Sequence, residues 1–398
     1  MKSRLILYVL GFSSAVVSLA QNLYVPLLPQ LQQDLHTSMY LVNLSVSFFT
    51  IALAVMQVVF GPVIDAKGRR AVLLPGMALY ALASLGCSLS GSISMLLLCR
   101  VLQGIGAATV PLVAATMIGD LFQDKERARS MATYQMILGL APAVGPLIGG
   151  VIGSTAGYAG AFGFLTVMAA LMLAAALVIL PETKPAQDGG GTRFRPRSLL
   201  RIFRSRTGGA VLLLGFILYY MFYCFIVFLP DLLTHRYVLD AKQIGSVFLM
   251  LMTFSFIGSK ISGGIQARLG SVKSILVTFS LALLSLLLFM LAAEYSLLGL
   301  LVSLAVVGFT AGLTMSVPPT LLAGEFVQER ATAIGVYNFV RYLGMAAAPM
   351  VGSLLYPWGG SLLLFGAAAL MMGLGILYAK LQLYAPVAGN PAAVSERS

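Results

Sequence analysis

The sequence predicts an all-α integral membrane protein: twelve transmembrane helices in two pseudo-symmetric six-helix bundles, with both termini cytoplasmic. Three observations predict it. The 398 residues are 59% hydrophobic and 10% charged, whereas a soluble domain is about half apolar and about a quarter charged. That composition excludes a water-soluble protein and a disordered one. At roughly 30 residues per crossing and connection, the length holds about a dozen spans of about 20 apolar residues and no soluble catalytic domain. Finally, landmarks in the two halves recur at a nearly constant offset.

Apolar segments run at 5–28, 41–61, 71–90, 94–118, 131–155 and 160–180, then at 209–232, 244–265, 273–293, 296–322, 331–355 and 360–384. The first follows Met1-Lys-Ser-Arg without a small-residue cleavage site, so it reads as a retained helix and not a signal peptide. Residues 1–181 form the first bundle and 208–398 the second with a short tail. Between them, 182–207 is rich in Gly, Pro and Arg (Asp188-Gly-Gly-Gly-Thr-Arg-Phe-Arg-Pro-Arg) and reads as a flexible basic linker.

Orientation comes from the basic residues. Lys2 and Arg4, then Lys67, Arg69 and Arg70, then Lys125, Arg127 and Arg129 fall in alternate connections. The linker, Arg268, Lys273, Arg330 and Lys380 continue the alternation, while the opposite connections hold Arg236 and Lys242. An excess of Lys and Arg marks cytoplasmic loops, so both ends lie inside. The same bias accounts for the net charge of +12 without nucleic acid. Cys87, Cys99 and Cys224 are scattered through apolar runs, and His36 and His235 sit in polar connections, so neither disulfide framework, metal site nor cofactor is expected.

The repeats follow. Glu126-Arg127, Tyr134-Gln135 and Gly145-Pro146 are matched 203 residues on by Glu329-Arg330, Tyr337-Asn338 and Ala348-Pro349. Gly61 and Gly68 are matched 202 residues on by Gly263 and Gly270. Two such repeats are the plan of many secondary transporters, which place their substrate between the halves near the bilayer midplane.

After the second helix the chain reads Gly61-Pro-Val-Ile-Asp65-Ala-Lys-Gly68-Arg69-Arg70. This resembles the GxxxDxxGRR signature of the major facilitator superfamily. Gly61 suits close helix approach and Gly68 a tight turn; Asp65 can accept hydrogen bonds from a helix N-terminus and Arg69 can grip a carboxylate. The resemblance implies that Asp65 docks on the start of the eleventh helix and that Arg69 pairs with Asp120, a latch for the outward-open state. The second half has Ala267 in the acidic position, so the latch is one-sided.

Two further signatures agree. Arg100-Val-Leu-Gln103-Gly104-Ile-Gly106 in the fourth helix resembles RxxQGxG of proton-coupled members. Two roles are open to Arg100: lowering the pKa of a nearby carboxylate to help proton release, as the family implies, or ordering the helix by binding carbonyls. Ala141-Pro-Ala-Val-Gly145-Pro146-Leu-Ile-Gly149-Gly150 in the fifth helix resembles the antiporter signature GxxxGPxxGG, with Ala141 in the first glycine position. Small residues at that spacing form a ridge for close packing, and Pro146 permits a bend. The signature favours export over uptake.

The first helix ends Gln21-Asn22-Leu-Tyr24-Val-Pro26, similar to the family's yxPxlP ending. Some multidrug relatives carry an acid near Asn22, but none of the 13 Asp and Glu here lies deep in a span. Asp34 and Asp231 externally and Asp120 internally remain as candidate proton carriers, and none of the three stands out. Arg341 lies about ten residues into the eleventh helix, roughly 15 Å along it and so near mid-membrane. It either faces the cavity and attracts a carboxylate, or shares carbonyls with a broken helix. Tyr219, Tyr220 and Tyr223 of the seventh helix, with Tyr337 and Asn338, suit an amphipathic ligand or pack among neighbours, and Trp358 suits the interfacial belt.

The resemblance to the twelve-helix drug:proton antiporters covers nearly the whole chain. It implies a monomeric, proton-coupled exporter of small amphipathic compounds in a bacterial inner membrane, working by alternating access, with protons, lipid and a small molecule as partners. A dedicated carrier of an anionic or zwitterionic metabolite, such as a carboxylate siderophore or sugar-like compound, is the other reading. An embedded enzyme would need a cluster of Ser, His, Asp or metal ligands at membrane depth, and a sensor a soluble output segment; neither is present in the sequence.

Overall fold

Proline and glycine decide where these helices start and reverse. The computed structural model describes residues 2–184, 201–293, 295–326 and 330–384. α1 (Lys2–Asn22) gives way to a 3-10 turn at Val25–Leu27, where Pro26 stands at the turn's start, and α2 (Leu28–Asp34) restarts on Pro29. Proline lacks an N–H and so is tolerated at such starts. α3 (Met39–Lys67) and α5 (Ile93–Leu121) are opened by Ser38 and Ser92, whose hydroxyls accept amide hydrogens of the first turn. Between them lies α4 (Arg69–Ser88).

α6 (Asp124–Ile179), α7 (Arg206–Tyr237) and α8 (Ala241–Ala292) follow, then α9 (Leu297–Met315), α10 (Val317–Glu325) and α11 (Arg330–Tyr384). Nine stretches of the described residues are long and apolar enough to cross a membrane. Three of the helices contain two crossings each: α6 reverses at Gly157, α8 at Gly270, and α11 at Gly359–Gly360. Those breaks fall in the gaps 156–159, 266–272 and 356–359 that separate the apolar runs, or one residue beyond them, which gives twelve membrane segments.

The reversals keep the repeat. Gly68 and Gly270 have φ of 104° and 73°, and Gly157 and Gly360 have φ of 63° and 57°. This left-handed region favours glycine, and the pairs are 202 and 203 residues apart. Trp358 stands 89% exposed beside the last reversal, and Leu82, Val178, Leu284 and Leu370 are among the apolar side chains turned outward. Such a surface suits lipid and not water.

Two compact units result. The first is Met1–Phe194 with Phe225–Leu249 and Ala346–Leu354; the second is Arg195–Cys224, Met250–Met345 and Leu355–Ser398. In the first unit Asn43 donates to the Ser353 hydroxyl at 2.9 Å and Ser47 donates to the Ala346 carbonyl at 2.9 Å. In the second, Ser262 donates to the Leu313 carbonyl at 2.6 Å, tying α8 to α9.

Candidate functional site

Within the second unit, α7 and α11 approach through glycines. A Cβ on Gly215 would strike the Tyr337 ring, and one on Gly344 would overlap the Phe216 carbonyl. Positions 337, 341 and 344 share one helical face, so this contact aims Arg341 at α7. There its Nη1 donates to the Tyr219 hydroxyl at 3.5 Å, and its guanidinium lies 5.1 Å from the Tyr219 ring and 4.9 Å from the Tyr342 ring.

Arg341 Nε is buried with no hydrogen-bond partner, and so are the Tyr337 and Tyr220 hydroxyls. Arg341 has no carboxylate partner among the described residues. A buried charge lacking an opposite charge is costly unless something neutralises it. Carbonyl sharing, the other role open to Arg341 from sequence, is not observed: its contacts are aromatic. Tyr220 stacks on Phe216 at 6.4 Å, Tyr223 is buried one turn further, and Asn338 is half-buried.

Arg100, in the first unit, is a contrast. It is fully buried, with Nε on the Ser45 carbonyl and Nη1 on the Ala20 carbonyl, each at 3.1 Å, and Nη1 also on Gln103 Oε1 at 2.5 Å. Gln103 in turn donates to the Ser84 hydroxyl at 2.8 Å. The rings of Phe49 and Tyr24 lie 4.2 and 4.7 Å from the guanidinium, and Tyr24 bonds Ser45 through its hydroxyl at 3.0 Å. Of the two roles open from sequence, the geometry matches carbonyl binding. No carboxylate contacts Arg100 among the described residues. Asp34 is exposed, and Asp231 is half-buried against His235 at 3.3 Å. Tyr24 is thereby placed inside the Arg100 cluster, away from any ligand surface of its own; Asn22 is buried beside Gly145 and Gln21 is half-buried.

At the α3–α4 turn, Arg69 Nε donates to Asp120 Oδ2 at 2.9 Å. The surrounding network comes from the residues after α6, which the composition assigns to a flexible linker. Glu182 instead receives the amides of Arg69, at 2.9 Å, and of Arg70, Thr183 and Lys184, at 3.0 Å each. Thr183 donates to Asp120 at 2.9 Å, Lys184 to the Ala66 carbonyl at 2.6 Å, and Arg70 Nη2 to the Leu177 carbonyl at 2.7 Å. A carboxylate at the N-terminus of α4 meets unpaired amides and the positive end of the helix dipole. Gly68 is required twice, by its φ and because a Cβ would come within 2.7 Å of Glu182 Oε2. At Gly61 nothing among the described residues lies within 4 Å of a Cβ, so no close helix approach is seen there. The Asp65 side chain and residues 185–200 lie outside the described residues.

Glu182 makes a pH prediction. Burial alone would raise its carboxyl, but the amides of Arg69, Lys184, Arg70 and Thr183 outweigh it and hold the group below its usual 4.5. A depressed folded pKa stabilises above the unfolded value and loses that effect as pH falls through the folded one. Glu182→Gln is therefore expected to lower the thermal midpoint by about 2 °C near pH 7, with the difference shrinking below about pH 4. Midpoint curves that stay parallel across that range would reject the assignment.

The α6 ridge packs as its small residues suggest. Gly145, Gly149 and Gly153 face Leu19, Leu23 and Leu27, and a Cβ on Gly149 would overlap the Leu23 carbonyl oxygen. The other side of the helix meets α8: Gly150 faces the Ala241 carbonyl and the Pro146 carbonyl faces Gly245, all in the first unit. Ala141 is buried.

Three residues that the sequence reading passes over matter here. Glu182 is hidden because its partners on α4, Arg69 and Arg70, are more than a hundred positions away. Asn43 gives no motif. Lys260 is visible as a lone lysine inside the run 244–265; the structure leaves it exposed, its amine 4.7 Å from the Phe256 ring centre.

The family model of the Major Facilitator Superfamily matches residues 10–349 and 211–397. An uncharacterised transporter of that type, YdgK of Bacillus subtilis (strain 168), is 36% identical over 152 residues, 38% of each chain. Citrate exporter 1 of Aspergillus niger is 31% identical over 174 residues, 44% of this chain and 33% of that one. Multidrug resistance protein MdtL of Escherichia coli O81 (strain ED1a) is 31% identical over 188 residues, 46% and 48%. The matched stretch thus spans less than half the length of each relative. Among solved structures, the human organic anion transporter MFSD10 (TETRAN) aligns with a TM-score of 0.69 at 21% identity over 95% of this chain and all of its own. A bacterial homologue of the human lysosomal transporter Spinster, inward-facing and occupied, aligns at 0.79 and 14% identity over 96% and 97%. At those identities the likeness is one of fold.

Proposed function

Because this chain belongs to the major facilitator superfamily, a family of transporters and not of enzymes, we propose that it is a secondary transporter exporting small amphipathic organic anions. One observation carries the proposal. Arg341 presents a half-buried guanidinium whose buried Nε is unused, framed by Tyr219, Tyr337 and Tyr342, with no carboxylate among the described residues to satisfy it. A guanidinium fork fits a carboxylate, and tyrosine rings fit an apolar body. The export direction is supported by the α6 ridge, and the substrate class by the likeness to a citrate exporter and to an organic anion transporter.

An anion leaving an inside-negative cell moves down the potential, worth about 2.3 kcal/mol per charge per 100 mV. Export of that kind needs no carboxylate carrier at membrane depth. Proton-for-drug exchange is the second reading, favoured by the same ridge and by the likeness to MdtL. Its carrier would be Asp34 or Asp231 on the external side, or Asp120 on the internal side, where Asp120 already pairs with Arg69.

Proteoliposomes separate the two. With a potential set by potassium and valinomycin at equal pH on both sides, citrate efflux is expected to rise with the potential, while tetraphenylphosphonium flux stays at the protein-free level. Tetraphenylphosphonium pumping driven by a pH gradient, without citrate efflux, would overturn the anion reading.

A further inference from the structure

A second cation stands at the same depth as Arg341. Lys260 is ten residues before the Gly270 reversal, and Arg341 eleven residues after the start of α11. Two crossings separate those points, the second limb of α8 and then α9 with α10, so both depths are counted from the same side. At 1.5 Å per residue each cation is roughly 15 Å in. Both belong to the second unit. A lysine stem reaches roughly 6 Å, too little to bring the amine back to that surface.

Lys260 is therefore held at a level where lipid is a poor environment for an ammonium. Its side of α8 is open. Gly263 and Gly264, one turn towards the reversal, have nothing within 4 Å of where a Cβ would stand, and Ser259 and Ala267 are exposed. The opposite side is closed, with Gly258 against the Phe309 carbonyl and Ser262 on the Leu313 carbonyl. Apart from the Phe256 ring, Lys260 has no partner among the described residues. Neither cation is part of the repeat: 202 and 203 residues earlier stand Val58 and Leu138. Two unmatched charges at one depth in one unit mark a specialised feature, since the shared scaffold does without them.

We propose that Lys260 is a second anion contact, and that the site prefers substrates bearing two anionic groups over the same body bearing one. The inference rests on the reading of Arg341 as an anion contact. Arg341 binds one carboxylate through its fork, and the Lys260 ammonium neutralises the other from the open face of α8. Glycines at 263 and 264 leave the approach to the amine free of side chains.

Binding of benzoate and of isophthalate to the purified full-length protein tests this, with Kd read by calorimetry and folding checked by the thermal midpoint. The wild type is expected to bind isophthalate at least about tenfold more tightly, the scale of one hydrogen bond to a charged group. Lys260→Gln is expected to remove that preference while leaving benzoate within twofold, and Lys260→Arg to restore it. Arg341→Gln is expected to weaken both ligands. If Lys260→Gln leaves the preference intact while Arg341→Gln weakens both, the second contact is refuted and the anion reading stands. If the wild type binds neither ligand and Arg341→Gln changes nothing, the anion reading falls and takes the second contact with it.

Discussion

Arg341→Ala is expected to bring organic-anion flux down to the protein-free level without unfolding the protein. A hydrogen bond to a charged group contributes about 1.5–3 kcal/mol, and a bidentate guanidinium–carboxylate pair makes two of them. Loss of both bonds of the fork removes about 3–6 kcal/mol and so weakens binding by about a hundredfold or more. Stability moves the other way from an ordinary truncation. The guanidinium is half-buried, with a buried, unused Nε and no counter-charge among the described residues, so removing it relieves a desolvation cost. The midpoint of the variant is expected to equal or exceed that of the wild type. Arg341→Lys keeps the charge but not the fork, and falls between the two in flux. Full flux in Arg341→Ala would overturn the site, and lost flux with a large drop in midpoint would make the residue structural.

Gly149→Ala is the second large effect, and it lies in the first unit. The new methyl would overlap the Leu23 carbonyl oxygen, a backbone atom that cannot rotate away. Overpacking of this kind costs about 1–3 kcal/mol, and α1 must shift where its span breaks at Val25–Leu27. Gly335→Ala is the matched control, because no described residue lies within 4 Å of a Cβ at that exposed helical position. There the gain in helix propensity, roughly 0.5–1 kcal/mol, acts alone. The two variants are expected to move the thermal midpoint in opposite directions. A midpoint for Gly149→Ala at or above that of the wild type would mean that the ridge is not a close contact.

The crossings were legible because each demands about 20 apolar residues, and the reversals at Gly157, Gly270 and Gly359–Gly360 fall at the interruptions of hydropathy. Arg341 was legible as an isolated charge in an apolar run, and the pairing of Arg69 with Asp120 came through the family motif. Composition misled at Glu182: a Gly- and Pro-rich stretch reads as slack chain, yet its first residues cap α4. That cap exists only once the end of α6 lies against the α3–α4 turn, and no local pattern announces it. At Gly61 motif membership suggested crowding, whereas no described residue lies within 4 Å of a Cβ. Residue type alone could not distinguish Arg100 from Arg341: each keeps one unpaired buried nitrogen, but Arg100 has two backbone carbonyls and Gln103 within reach where Arg341 has only the Tyr219 hydroxyl among the described residues.

That difference divides labour between the halves of a duplicated chain. One arginine is spent on its own backbone and aromatic neighbours, and so has little left to offer a visitor. The other touches one tyrosine hydroxyl and two rings, and no carbonyl among the described residues. A chimera that grafts the second half onto a relative's first half would therefore inherit this protein's taste in cargo, while the reciprocal graft would inherit only its architecture.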